Sequence, residues 1–443
     1  MRASELFSLL FDNLQLFTIV YGAFLLLYFV VYKKAYWGIL DPMFLTVINF
    51  AGGAFCVWLL WYMDTLKPEY GLSFIYTEIA ILAGMIVSHQ LPVLKVYNDK
   101  IPEFKPDEQV GTDEFEVFVF LVCCFYIVFE IVSLATVGLV IVSDSESHVT
   151  AFSDHSVLRV FISSFRSLAI VSLFYKRIVR GKKWNMLEVL TLMLLLVGVL
   201  SSGAKGAIVI FIHSYFILTF PMIRTGKMQK IKLSLPVILL IASFPVAVLI
   251  IKVGAGAESA LQQLYLRFMS SGDVFLLGYY ENVMNSITET SFFKYAFYPG
   301  WGTVLKNLGF DITPPRLIGS DIFEYYTNMT SGGGPNARHN FIAYYFFGLY
   351  GGIGYSFCVG LFVGYMRNIY KYVHPFKMSY ATYLFFALIA LKVPTLIDDI
   401  NVYSNFIFWT ILFLFVCYIL AKVIFLILQN AHRNKVTLAP PTS

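Results

Sequence analysis

Eleven stretches of this chain are apolar and nearly free of charge over about the length a helix needs to cross a bilayer: 15–32, 43–62, 72–94, 115–142, 157–175, 186–202, 206–223, 233–251, 340–366, 378–397 and 404–428. In hydrocarbon no water satisfies peptide N–H and C=O groups, so a single run that spans does so as a helix. The expectation is an all-α polytopic membrane protein with eleven transmembrane helices, or twelve if residues 3–14 add a re-entrant or interfacial one. A soluble reading is excluded, since 58% of the 443 residues are hydrophobic and 13% charged.

Charge sets the orientation. With the N-terminus outside, nineteen cations fall in the inner connections, including Lys33, Lys34, Lys176, Arg177, Arg180, Arg224, Arg367 and Lys371. The short outer segments hold only Arg2, Lys67 and Lys205, which is the bias of the positive-inside rule. Orientation therefore accounts for most of the net charge of +5, which supplies no argument for a nucleic-acid partner. All five cysteines lie inside apolar runs, so neither a disulfide framework nor a thiolate metal site is expected. The N-terminus lacks the pattern of a cleaved signal peptide.

One connection is long. The chain divides into membrane helices 1–8 (1–251), an 88-residue outer loop (252–339) and helices 9–11 with an inner tail (340–443), together one integrated domain. The loop opens on a helical-looking stretch, QQLYLRFMSSGDVFLLGYYENVM, and continues into the aromatic FFKYAFYPGW, suited to the membrane interface. Aromatic faces also suit the apolar C–H faces of pyranose rings. The loop ends Gly-rich, at TSGGGPNARHN.

Lys205, in SSGAKGA, and Arg338, in GGGPNARHN, each stand at the outer, N-terminal end of a predicted helix. The helix dipole disfavours a cation there by a few tenths to about 1 kcal/mol, and the positive-inside rule disfavours it again. An anion removes both costs, because helix-start N–H groups and a nearby cation together bind phosphate. A loop with two solvated cations is the plain alternative.

His339 follows Arg338, in a setting that favours the neutral imidazole able to accept a proton. Asn340 is placed to cap or orient the site. Arg267 is a further candidate diphosphate ligand, and Asp273, six residues on, a candidate to hold an arginine or a sugar hydroxyl. Arg316, after a Pro pair, is a supporting candidate or a surface cation. Asp398 and Asp399 are placed to hold Lys205 or an arginine, but without a third ligand they make no metal site. Within the spans, Glu130, Arg166, His213 and Lys392 are costly unless paired or facing water, with Glu130 and Arg166 placed to pair. No nucleotide, dinucleotide, serine-hydrolase or zinc-protease motif is present, and no cofactor is expected.

At SSGAKGAIVIF, and more clearly at GGGPNARHNFIAYYFFGLYGGIGYSF, the chain resembles the bacterial O-antigen polymerase and ligase superfamily, and within it the oligosaccharide repeat-unit polymerases (Wzy-type). That family has a small-residue Ser/Gly-Arg-Gly motif opening an outer helix end, and later a His-Asn helix start followed by Gly-x-x-Gly. Lys205 stands where the family has Arg, keeping the charge but not the bidentate fork. His339 and Asn340 match the second motif, and Arg267 matches the arginine of the family's outer loop.

The resemblance implies a GT-C-related, metal-independent glycosyltransferase at the periplasmic face of the inner membrane. Its substrates would be undecaprenyl diphosphate-linked oligosaccharides, with a chain-length regulator as a family-level partner besides the membrane lipids. Lys205, Arg267 and Arg338 would hold the diphosphate, His339 would be the base, and Asp273, Asn340, Arg316 and Asp399 would support them or bind sugar. A ligase that moves finished glycan is the nearest alternative. A transporter or flippase is the rival from another class, suggested by the charges inside the spans.

Overall fold

The structure is a computed structural model that describes residues 13–93, 112–138, 152, 155–201, 208–229, 250, 265, 268–269, 271–280, 283–313, 315–327 and 334–437. Among these residues every regular element is helical. The long helices are α1 (Leu14–Val31), α2 (Pro42–Tyr62), α3 (Pro68–Ser88), α4 (Thr112–Thr136), α5 (Ser156–Ile178), α6 (Met186–Ser201) and α7 (Val209–Arg224). The central connection forms short helices, α8 (Asp273–Gly278), α9 (Phe292–Phe297), α10 (Thr303–Asn307) and α11 (Ile318–Thr327). The last third holds α12 (His339–Lys371), α13 (Tyr380–Lys392), α14 (Thr395–Asp398) and α15 (Ile400–Thr437).

Eight helical segments, with α13 and α14 counted as one, are long and apolar enough to cross a membrane, and α6 and α7 are shorter apolar helices. These ten match ten of the eleven runs expected from sequence; the run 233–251 lies outside the described residues. The ends assigned to the inner side meet. Lys176 at the end of α5 bridges Glu116 of α4 at 2.5 Å and Glu188 of α6 at 2.7 Å. Arg367, near the end of α12, grips the α2 N-cap Asp41 through both guanidinium nitrogens and stacks 4.0 Å from the Trp37 ring centroid. We call this the basic end of the bundle. Nearer the other end, Arg166 and Glu130 pair at 3.3 Å, as their positions on α5 and α4 suggested.

The helix written as α12 is in fact a hairpin. Gly348 has φ 64° and ψ −168°, a conformation that a side chain strongly disfavours. Before it, a short helix runs from Asn340, bonded to Thr77 and Glu78, to Tyr344, whose ring is 5.3 Å from that of Tyr70. This arm is antiparallel to α3. After it, the chain returns parallel to α3, with Gly360 against the Ile81 backbone and Gly364 against Ser88. Small residues set this contact, as is usual where helices approach closely in a bilayer.

Candidate functional site

The N-terminus of this hairpin is the best-defined polar site, and it lies at mid-bundle. Its contacts on α3 are Thr77 and Glu78, about halfway along the helix. Its contacts on α2 are Asn49 and Phe50, the former through Asp398. Arg338 is buried, level with the middle of α3, where its neighbour Asn340 bonds Thr77 and Glu78. The reason is steric. Gly52 on α2 leaves room for Ser271 and the Phe268 carbonyl, which a Cβ there would meet, and a Cβ on Gly272 would meet the backbone of Gly52 and Gly53. Phe275 of α8 packs beside Gly53 and edge-on to Phe74, 5.0 Å between centroids.

Arg338 carries the site's architecture. Its backbone is strained at φ 44°, outside the regions open to most side chains. Its N–H donates to the Asp398 carbonyl at 2.8 Å. Its guanidinium pairs with the Asp398 carboxylate and donates to the Ser271 carbonyl at 2.5 Å. Asp398 also faces Asn49 Nδ2 at 3.5 Å. Of the two acids that sequence nominated to hold an arginine, Asp398 does so. Asp399 instead accepts from the Tyr295 hydroxyl at 3.1 Å and from the backbone N–H groups of Ala337 and Asn401. It thereby ties the Gly-rich segment, α9 and the start of α15 together.

His339 is fully buried, its ring edge-on to Phe50. Neither ring nitrogen has a hydrogen-bond partner, although the Ile397 carbonyl lies close enough to act on the ring. Asn340 lies inside the helix, one residue past its first residue, and its side chain reaches across to α3. Its amide donates to Thr77 Oγ1 and to Glu78 Oε1, both at 3.0 Å.

Asp273 opens α8 two residues after Ser271, whose carbonyl Arg338 holds, and so lies near the site. Arg316 is elsewhere, paired with Asp321 at 2.9 Å and with Glu324 on α11. The Glu324 hydrogen bond raises its guanidinium above the ordinary value, with Asp321 adding to it. Lys205 and Arg267 lie outside the described residues. Val209 and Ile210, where the helix after Lys205 begins, line a 200 Å³ cavity together with Asp398.

Glu78 is a site residue that sequence reasoning missed. It sits within an apolar 72–94 run where a single acid looks incidental, and only its contact with Asn340 marks it. It also lines a largely apolar cavity of about 930 Å³ between α1, α2 and α3, with Tyr28, Tyr32, Trp58 and Phe74 among the other walls. No group of three or more metal-ligating side chains occurs among the described residues.

Comparison of the chain with protein-family models, with curated proteins and with solved structures gives no match.

Proposed function

We propose that this chain joins glycans carried on polyprenyl diphosphate, extending lipid-linked oligosaccharide repeat units into O-antigen or a similar surface polysaccharide at the periplasmic face of the bacterial inner membrane. The observation that carries the reading is His339: a fully buried imidazole with no side-chain hydrogen-bond partner and only the Ile397 carbonyl beside it, next to an arginine in a strained backbone, at a helix start. An unsatisfied buried polar group costs about 1–3 kcal/mol, and such costs gather at functional sites.

Two further features support it. The helix starts that follow Lys205 and Arg338 approach one place, since Val209 and the Arg338 partner Asp398 line the same cavity. Beside it, the 930 Å³ cavity offers apolar walls to a lipid chain and a carboxylate, Glu78, near the polar centre.

In the proposed reaction an acceptor sugar hydroxyl attacks the anomeric carbon of the donor. The new bond joins the acceptor oxygen to that carbon, the bond from carbon to diphosphate oxygen breaks, and its electron pair leaves on the diphosphate. His339 takes the hydroxyl proton. Arg338, held at the helix start by Asp398, stabilises the leaving group together with Lys205 and Arg267. No metal or nucleotide enters the scheme.

Transport is the second reading, favoured by the helix breaks at Gly348 and at Val393–Pro394, which flank a mid-bundle polar site as in many transporters. One experiment separates them. The purified chain is incubated with lipid-linked repeat units, without nucleotide and with EDTA, and the products are resolved on a gel. A ladder of longer glycans, absent for His339→Ala, is expected. No ladder, with substrate instead crossing liposome bilayers, would establish transport.

A further inference from the structure

Lys392 is a cation at the last turn of α13, in a segment otherwise apolar enough to span a membrane. Such a charge is costly unless it is paired or faces water or a ligand. Among the described residues no carboxylate lies within ion-pair distance of it, and its ammonium stands 4.0 Å from the centroid of the Phe406 ring. It lines the 200 Å³ cavity with His213, Thr46, Asn49, Thr395 and Asp398. Asp398, the one carboxylate among the lining residues, is taken by Arg338. The cavity thus presents a cation whose charge nothing on its walls offsets.

We propose that this cavity, between α2, α7 and the break from α13 to α14, binds a phosphate-sized anion, with the Lys392 ammonium as its charge and His213 as a second donor. Its size fits that ligand. At 200 Å³ it is below the ~300–1,000 Å³ typical of pockets for whole small molecules, a size that suits a phosphate group better than a lipid chain. Thr46, Thr395 and Asn49 are among the lining residues, side chains of the donor types that oxyanion sites use. For the identity of the anion the inference rests on the proposed glycosyl transfer, where the natural occupant is one phosphate of the lipid-linked diphosphate. The existence of the site does not depend on that reaction.

The test uses the full chain in detergent, titrated with pyrophosphate while thermal unfolding is followed. A ligand that binds only the folded state raises the midpoint with its concentration. Wild type is expected to titrate, and Lys392→Met to need at least tenfold more pyrophosphate for the same shift. Lys392→Arg, which keeps the charge, is expected to retain most of the binding. Without anion, Lys392→Met should unfold at the same temperature as wild type or higher, because it removes an uncompensated charge.

No response of wild type to pyrophosphate overturns the proposal. So does an unaltered titration of Lys392→Met, or a Lys392→Met chain that fails to fold, which would make the lysine a structural partner of Phe406. Stronger binding of a short-chain prenyl diphosphate than of pyrophosphate would identify a lipid headgroup as the occupant, and the reverse order a free anion; either supports the site. Anion binding that depends on Lys392 in a chain without glycosyl transfer would remove the polymerase reading and leave this one standing. Glycosyl transfer indifferent to Lys392→Met would remove the lipid-linked diphosphate as the occupant, and the pyrophosphate titration would still decide the site.

Discussion

His339 and Arg338 are neighbours with opposite energetic characters. The His339 nitrogens lack partners in the folded chain, so an apolar ring of similar shape removes an unmet polar demand. His339→Phe is expected to unfold at the wild-type temperature or above it while glycan transfer falls by about 10²–10⁴-fold, the usual contribution of a general base. A thermal melt and the gel assay on one preparation check both halves, and retained transfer would dismiss the base role. Arg338, by contrast, is half of a largely buried pair with Asp398. Arg338→Met leaves that carboxylate uncompensated, at roughly 3–5 kcal/mol. Adding Asp398→Asn should recover most of the loss. The double variant is therefore the one in which an effect on transfer reports on diphosphate handling rather than on folding.

At the scale of elements, the pairing of α3 with the returning arm of α12 depends on absent side chains. A Cβ at Gly84 would meet the Phe357 carbonyl, and one at Gly360 the Ile81 backbone, whereas one at Gly354 would meet nothing within 4 Å. Gly84→Val and Gly360→Val should therefore lower the unfolding temperature clearly, with about 1–3 kcal/mol as the usual cost of overpacking. Gly354→Ala should leave it unchanged. Comparable melting of all three variants would refute this packing. Gly348 tests the hairpin itself. Its φ of 64° has open space around it, so Gly348→Ala clashes with nothing and its cost is backbone strain, about 1–3 kcal/mol. Because the strain sits at the turn above the site, transfer should fall together with stability in that variant.

Across the whole molecule, the alternation of helices puts the loop at Asp64 at the opposite end of the bundle from the Arg367–Asp41 pair. If the basic end is cytoplasmic, a cysteine replacing Asp64 in a Cys358→Ser background should react with an impermeant maleimide in intact spheroplasts. One replacing Lys377 should react only after permeabilisation. The reversed pattern would place the mid-bundle site on the other route of access and end the periplasmic reading.

Much of this architecture was legible without coordinates. Ten helices follow from apolar runs because an unpaired backbone has no alternative in hydrocarbon, and the grouping of their basic ends follows from charge. The Arg338–His339–Asn340 helix start could be nominated because a cation there breaks two local rules at once. Its depth could not be read: a run from 340 to 366 is equally apolar whether it is one helix or a hairpin, and only the positive φ of Gly348 and the glycine clearances on α2 decide which. The same holds for partners. Asp398 and Asp399 are adjacent and chemically identical, yet one holds the arginine and the other the backbone. Glu78 is a single acid in an apolar stretch that sequence reading passed over, and Lys392 could be marked as a costly charge but not given its surroundings. What each one faces is set by contacts more than 250 residues apart for Glu78 with Asn340, and by the meeting of three helices for Lys392. Sequence by itself determined that this chain is a bundle of membrane-length helices and where its polar anomalies lie. Tertiary packing alone decided which of them meet, because charge and hydropathy act locally along the chain while burial and pairing are settled between helices far apart in it.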